Sequence, residues 1–233
     1  MKRIFSNLLF AAAFSFQYHN TQAQTYFVKK IPDGGIQVNG KGDAPAWQKA
    51  NPLTHFIYPW ESIPAPATSF AALYNDQWLY LLYRVTDDSV IVPQGPHNKM
   101  AVGAADRVEI FFKENDKMSP YYCLEMDASA TVLDYTADYY RQMHYEWQWP
   151  KEALLIASSR TKEGYTLEAA ISINALKKFG LLKNKEMQAG LFRAERTGTE
   201  NGKAVLKWIS WIDPKSATPD FHIPAAFGLL KLE

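Results

Sequence analysis

Short runs of alternating or continuously apolar residues recur along this chain from residue 36 onward, and they leave few folds open. They cover Thr68 to Tyr74, Trp78 to Val85, Arg107 to Phe112, Tyr121 to Met126, Thr131 to Tyr135, Leu154 to Ser159, Tyr165 to Ile171, Glu186 to Glu195, Val205 to Trp211 and Gly228 to Leu232. Turn clusters such as Tyr74-Asn-Asp-Gln77, Lys162-Glu-Gly164 and Gly198 to Gly202 separate them. A chain that reverses this often, with a two-residue period between reversals, buries its apolar rows by layering strands. The pattern predicts an all-β, antiparallel β-sandwich of jelly-roll or immunoglobulin-like form with one or two short helices. One helix is expected over Asn174 to Phe179, with Asn174 as N-cap and Gly180 as the stop. The proline-rich stretch from Pro59 to Pro66 is expected as a long edge loop, since proline donates nothing to a sheet ladder.

The first residues read as an export signal. Lys2 and Arg3 precede an apolar stretch, Leu8 to Phe16, that is too short to span a bilayer, and Thr21 and Ala23 supply small residues at cleavage spacing. Residues 1–23 are thus expected as a signal peptide, and 24–233 as one domain that is exported to the periplasm or the cell exterior without membrane insertion. Cleavage removes two basic residues and no acidic one, so 25 basic against 24 acidic becomes 23 against 24. Near-neutrality without a basic block argues against nucleic acid and anionic membrane as partners. The sole cysteine, Cys123, has no intramolecular partner. Stability in an oxidising compartment therefore rests on the core that 47% hydrophobic and 14% aromatic residues supply.

Two segments carry the chemistry. In Asp106-Arg-Val-Glu-Ile-Phe-Phe112, Val108, Ile110 and Phe112 alternate with Arg107, Glu109 and Phe111. Glu109 is then either a solvated outer residue or a polar group set in a concave face. Near the C-terminus, Trp211, Phe221 and His222 stand in a Pro-punctuated loop before the final strand, where rim loops of β scaffolds usually sit. Aromatics beside a carboxylate suit sugars, whose C–H faces stack on rings and whose hydroxyls need paired donors and acceptors. Together with Ile36 to Trp47, Ala71 to Tyr80, Val85 to Asp88, Tyr121 to Glu125, Tyr165 to Ile171 and Arg193 to Glu195, these segments form an ordered series. In that series the chain resembles the family 9 carbohydrate-binding modules, in their stand-alone, secreted bacterial form.

The resemblance implies non-catalytic binding of an oligo- or polysaccharide, in support of glycan capture or degradation and of a surface glycan-degrading assembly. It puts Glu109 and Arg193 on the concave face, as sugar ligands or as a structural pair, with Glu125 joining them and His222 offering a donor. Of the family's two clamp tryptophans, one position is Gly103 here and the other Phe221, and a family arginine position is Cys123. A replacement platform is expected in Asp138 to Pro150, which concentrates Tyr139, Tyr140, Tyr145, Trp147 and Trp149. The competing reading has Trp147 and Trp149, as alternate residues, covering a sheet face with Tyr145 beside them. Trp47 is expected to plug one end of the sandwich. No cofactor is required; the resemblance implies structural calcium, for which Asp76, Asp87 and Asp88 are the candidate ligands.

Three rival readings stay open. A hydrolase needs two carboxylates about 5–9 Å apart, from among Asp106, Glu109, Glu125 and Glu195. Haem-binding relatives in the same superfamily grip iron with methionine and histidine, for which Met100, Met143 and His144 are the residue types present. The missing clamp at Gly103 also fits a groove that has turned to protein interaction.

Overall fold

The computed structural model describes residues 24–93 and 98–233, so the expected export segment lies outside the described residues. Twelve strands make up the all-β body: β1 Thr25–Lys30, β2 Thr68–Tyr74, β3 Trp78–Thr86, β4 Arg107–Lys113, β5 Tyr121–Asp127, β6 Val132–Asp138, β7 Gln142–His144, β8 Leu154–Arg160, β9 Gly164–Ser172, β10 Glu186–Glu200, β11 Lys203–Ser210 and β12 Gly228–Leu232. Hydrogen bonding runs in the order β7-β6-β5-β4-β10-β12-β1-β2-β3-β9-β8, with β11 paired to β10. The expected runs map onto ten of these strands; β1 and the three-residue β7 were not anticipated from the pattern.

The expectation of purely antiparallel pairing needs correction at β1. Residues 25–28 pair in parallel with β12, and Lys29 and Lys30 pair in parallel with β2. One short strand thereby crosses from one arm of the path to the other. The apolar rows of both arms meet in a common core, with Val108, Ile110, Phe112 and Leu124 from one arm and Phe70, Leu79, Leu81 and Leu167 from the other. Burial of these side chains is the main favourable term, each contributing roughly 1.5–3 kcal/mol.

The helix α1 spans Ile173–Lys178, and its N-cap is Ser172, whose hydroxyl accepts from Ala175 N, rather than Asn174. The cap lies two residues earlier because the helix begins at Ile173, directly after β9, and Ser172 is the extended residue whose hydroxyl reaches a free N–H of the first turn. Trp47 is buried in a separate small cluster, a packing rather than a surface position, and donates from Nε1 to Glu168 Oε1 at 2.8 Å.

Candidate functional site

Four cross-strand rows build the floor of a concavity on the outer face of β4, β5, β6, β10 and β11. In the ladder, Trp208, Ala194 and Arg107 stand in one row, and Phe192, Glu109, Glu125 and Leu133 in the next. Gly190, Phe111, Cys123 and Tyr135 follow, then Lys113, Tyr121, Ala137 and Met143. Because side chains alternate across a sheet, members of a row share a face. This face is lined by a second apolar cluster, which includes Phe111, Tyr121, Tyr135, Phe192 and Phe221. Gly190 is required here, since a Cβ would stand 2.3 Å from the Phe192 ring.

Over the floor opens a cavity of about 220 Å³. Its charged base is Arg107, whose Nε lies 2.9 Å from Glu109 Oε1 and 2.6 Å from Glu125 Oε2. Tyr135 donates to the other Glu125 oxygen at 2.9 Å, and Arg107 Nη1 donates to the Gly103 carbonyl at 3.0 Å. Burial, then the neighbouring charge of Glu125, pushes the Glu109 carboxyl well above the usual carboxylate range, against the pull of Arg107. Trp208 covers Arg107 at 5.4 Å, as their shared row dictates. Tyr145 packs on Tyr135 at 5.0 Å from the opposite edge.

The loop before β12 forms one lip. Phe221 stacks on Phe192 at 4.1 Å and 10°, and meets Trp60 and Trp208 with its remaining faces. It is only 5% exposed, so it presents a limited surface to the cavity. His222 lies against Phe111, and its Nδ1 is 2.8 Å from the Tyr121 hydroxyl. Desolvation, with the nearby Arg141 charge, lowers its pKa to about 4, so the ring is neutral at ordinary pH. Asp220 holds the lip to the turn before β7 by accepting from Arg141 Nη1 at 3.2 Å and from the Tyr140 hydroxyl at 2.6 Å.

Of the residues singled out in the sequence, Glu109, Glu125, Phe221 and His222 line this cavity, and Glu109 is neither solvated nor paired with Arg193. Arg193 must be moved to the other face: it stands opposite Val108, fully buried, and its Nη2 donates to Asp87 at 2.8 Å. Its neighbour Phe192 takes the cavity side, and alternation sends Arg193 inward. Trp147 and Trp149 also leave the candidate site. They pack on Tyr122 and Phe179 against the main core, and Trp149 is 5% exposed. Tyr145 does not join them but turns to the cavity. Tyr139 and Tyr140 are exposed beyond the lip and do not line it. Trp211 is buried in the core, not at a rim.

The three aspartates considered for calcium do not meet. Asp76 pairs with Lys30 at 2.6 Å on the surface, Asp87 is tied to Arg193, and Asp88 is exposed. Among the described residues, no three His, Cys, Asp or Glu side chains come together as a metal site. Of the residues considered for haem, His144 does not join the two methionines. Met100 and Met143 line the cavity, whereas His144 Nε2 is bound to Asp138 at 2.9 Å. The cavity is smaller than the roughly 300 Å³ at which pockets begin to enclose drug-sized ligands.

Sequence reasoning passed over Arg107, Tyr135 and Trp208, which complete the charged base and its aromatic walls together with Tyr145 of the expected aromatic segment. Arg107 was within reach, because it alternates in phase with Glu109.

The matched family model, described as Carbohydrate family 9 binding domain-like, covers residues 38–233 and so includes every wall of the cavity. The chain belongs to this family. No curated protein matches it. Among solved structures, this family 9-like chain is similar to a candidate carbohydrate-binding protein from Bacteroides uniformis, with 19% identity, a TM-score of 0.64, and 91% of this chain and 100% of that chain covered. It is also similar to a carbohydrate binding module family 9 from Caldicellulosiruptor kristjanssonii, solved with cellotriose (16% identity, TM-score 0.59, 90% and 94% covered). A structure of such a module from that organism with glucose gives 16% identity and a TM-score of 0.57, with 90% and 96% covered.

Proposed function

We propose that this chain is a non-catalytic carbohydrate-binding protein that takes one sugar unit into the cavity over Arg107, Glu109 and Glu125. The observation that carries this reading is the combination at one concave face: hydrogen-bonding charges at the base, with Trp208 and Tyr145 as aromatic walls at opposite edges. Family membership and the sugar ligands of the Caldicellulosiruptor modules support it. The volume favours a single ring, with the remainder of an oligosaccharide passing outward over the lip near Tyr140.

Hydrolysis is disfavoured by the same geometry. The two carboxylates at the base both lean on one guanidinium nitrogen, within 2.9 Å of it. Glycosidases instead need an acid and a base or nucleophile flanking the bond, with room for sugar or water between them. We read the two facing arms of the strand path as the layers of a sandwich, and residues 24–233 as one exported domain, acting in glycan capture or degradation in the periplasm or outside the cell.

Isothermal titration of the protein with glucose and cellotriose tests the proposal. Saturable binding that is weakened in Trp208→Ala, with no release of shorter products on prolonged incubation, is the expected result. Failure of a broad panel of plant, host and bacterial glycans to bind the folded protein would overturn it.

A further inference from the structure

The base of the cavity holds two carboxylates and one cation. Glu109 and Glu125 stand directly opposite each other in the β4–β5 ladder, 1% and 5% exposed. Like charges so placed repel, and one guanidinium does not fully offset two buried anions. The pairing is also incomplete in its hydrogen bonds. Arg107 Nε lies within ion-pair distance of both carboxylates, so a single N–H is shared between Glu109 Oε1 and Glu125 Oε2. The Nη1 group of Arg107 is turned to the backbone carbonyls of Gly103 and Ala105.

Among the described residues, no other cation along the cavity makes up the deficit. Arg141 is paired with Asp220 on the lip, and His222 is neutral. Lys113, in the row beyond Phe111, is engaged by Asp116 and by the Pro224 carbonyl. Against Arg107 and Arg141 stand Glu109, Glu125 and Asp220, which leaves one negative charge in excess. Two buried acceptors sharing one N–H and an unbalanced negative charge describe the same need, a ligand group that is both cationic and a multiple hydrogen-bond donor. A protonated amine has both properties.

We propose that the preferred occupant of this cavity is an amino sugar with a free ammonium group, held by Glu109 and Glu125. This deepens the carbohydrate-binding reading and rests on it. Neutral sugars meet the same acceptors with weaker hydroxyl donors, and a uronic acid adds a third carboxylate to the base. Without a second cation, a proton on the carboxylate pair offsets the excess charge, which is the sense of the upward shift at Glu109. The ammonium displaces that proton.

Titration calorimetry at neutral pH with glucosamine, glucose, N-acetylglucosamine and glucuronate tests this. Charge-assisted bonds exceed neutral ones enough to make glucosamine the tighter ligand by about ten- to a hundredfold. N-acetylglucosamine, with the same ring but no charge, falls back toward glucose, and glucuronate binds worst. Repeating the glucosamine titration in buffers of different ionisation enthalpy should reveal proton release on binding. In Glu109→Gln the ratio of glucosamine to glucose affinity falls toward one. Glucose bound as tightly as glucosamine by the wild-type protein, or glucosamine bound without proton release, overturns the inference and leaves sugar binding standing. No sugar bound at all overturns both.

Discussion

Two guanidinium groups occupy neighbouring rows of the same strand pair and face opposite ways. Arg107 of β4 stands across from Ala194, and Arg193 of β10 across from Val108. Each is almost wholly buried and each meets two carboxylates, Glu109 and Glu125 for the first, Asp87 and Glu195 for the second. Between the arms, the acidic partners are well supplied with donors. Asp87 accepts from Arg193 and Ser89 N, and its neighbour Asp106 accepts from Ile91 N and Arg196 N. Tyr58 donates to Glu195, and Thr68 receives the second Arg193 nitrogen at 3.2 Å. On the outer face the two carboxylates share the one Arg107 Nε and a cavity opens above them. The same three charges make a strut where the backbone completes them and the base of an open cavity where it does not.

If this contrast holds, the largest effect on folding comes from the sealed cluster. Arg193→Met leaves Asp87 as an uncompensated buried carboxylate, and unfolding in urea should show a loss of about 3–5 kcal/mol. Sugar affinity of the fraction that remains folded should change little. Trp149→Ala probes the displaced aromatic platform in the same way: emptying its place against Phe112, Tyr122 and Phe179 should cost about 3–5 kcal/mol of stability. If sugar affinity fell instead, with stability intact, the division between core aromatics and cavity aromatics would be wrong.

That division was only partly legible in the sequence. The strand runs are visible because one row of each is apolar and turn residues interrupt them. β4 also shows its two faces, since Arg107, Glu109 and Phe111 alternate with Val108, Ile110 and Phe112. β10 does not. Both of its faces are buried, and period alone does not say which of Phe192 and Arg193 turns outward. The same ambiguity hides Trp208 from Trp211: three residues apart, they fall on opposite faces, one over Arg107 and the other in the core. The run of aromatics from Tyr139 to Trp149 splits three ways, to solvent, cavity and core, because β7 is only three residues long and the chain turns on either side of it. Pairing of β1 with β12 joins residues some two hundred positions apart, a relation that no local pattern encodes.

The sealed and open regions also differ in their response to acid. Burial raises Asp106 from 3.8 to about 7, so the folded protein holds a proton there that the unfolded chain releases above pH 3.8. Its contribution to stability is therefore lost as pH rises toward 7. His222 has the opposite sign. Lowered to about 4, it refuses a proton that the unfolded chain takes up below pH 6.5, and stability is lost as pH falls from 6.5 to 4. Urea unfolding across this window should show the advantage of wild type over Asp106→Asn growing on acidification, and that over His222→Gln shrinking, each by roughly 1–3 kcal/mol. Parallel slopes would mean that the lip is as sealed as the interior. On the open side, Trp208→Ala should weaken sugar binding about tenfold through lost packing over the ring. Its partial exposure should keep the accompanying loss of stability well below that of Trp149→Ala.

The smallest effect separates the cavity from its surroundings. Tyr140 is half exposed just beyond the lip, and its hydroxyl ties Asp220, whose other oxygen holds Arg141 and His222 N. Tyr140→Phe removes only that tie, whereas Tyr140→Ala also removes the ring on which a second sugar unit would rest. A single sugar should therefore bind both variants nearly as well as it binds wild type. A trisaccharide should lose about two- to fivefold in Tyr140→Ala alone, the scale of one exposed aromatic contact. Equal losses for glucose and cellotriose in both variants would instead assign Tyr140 to the positioning of Asp220 and His222, and would confine the ligand to the cavity. A loss restricted to the longer ligand would carry the binding surface outward along the lip, where the exposed Tyr139 ring lies 5.4 Å from Tyr140 and extends the same path.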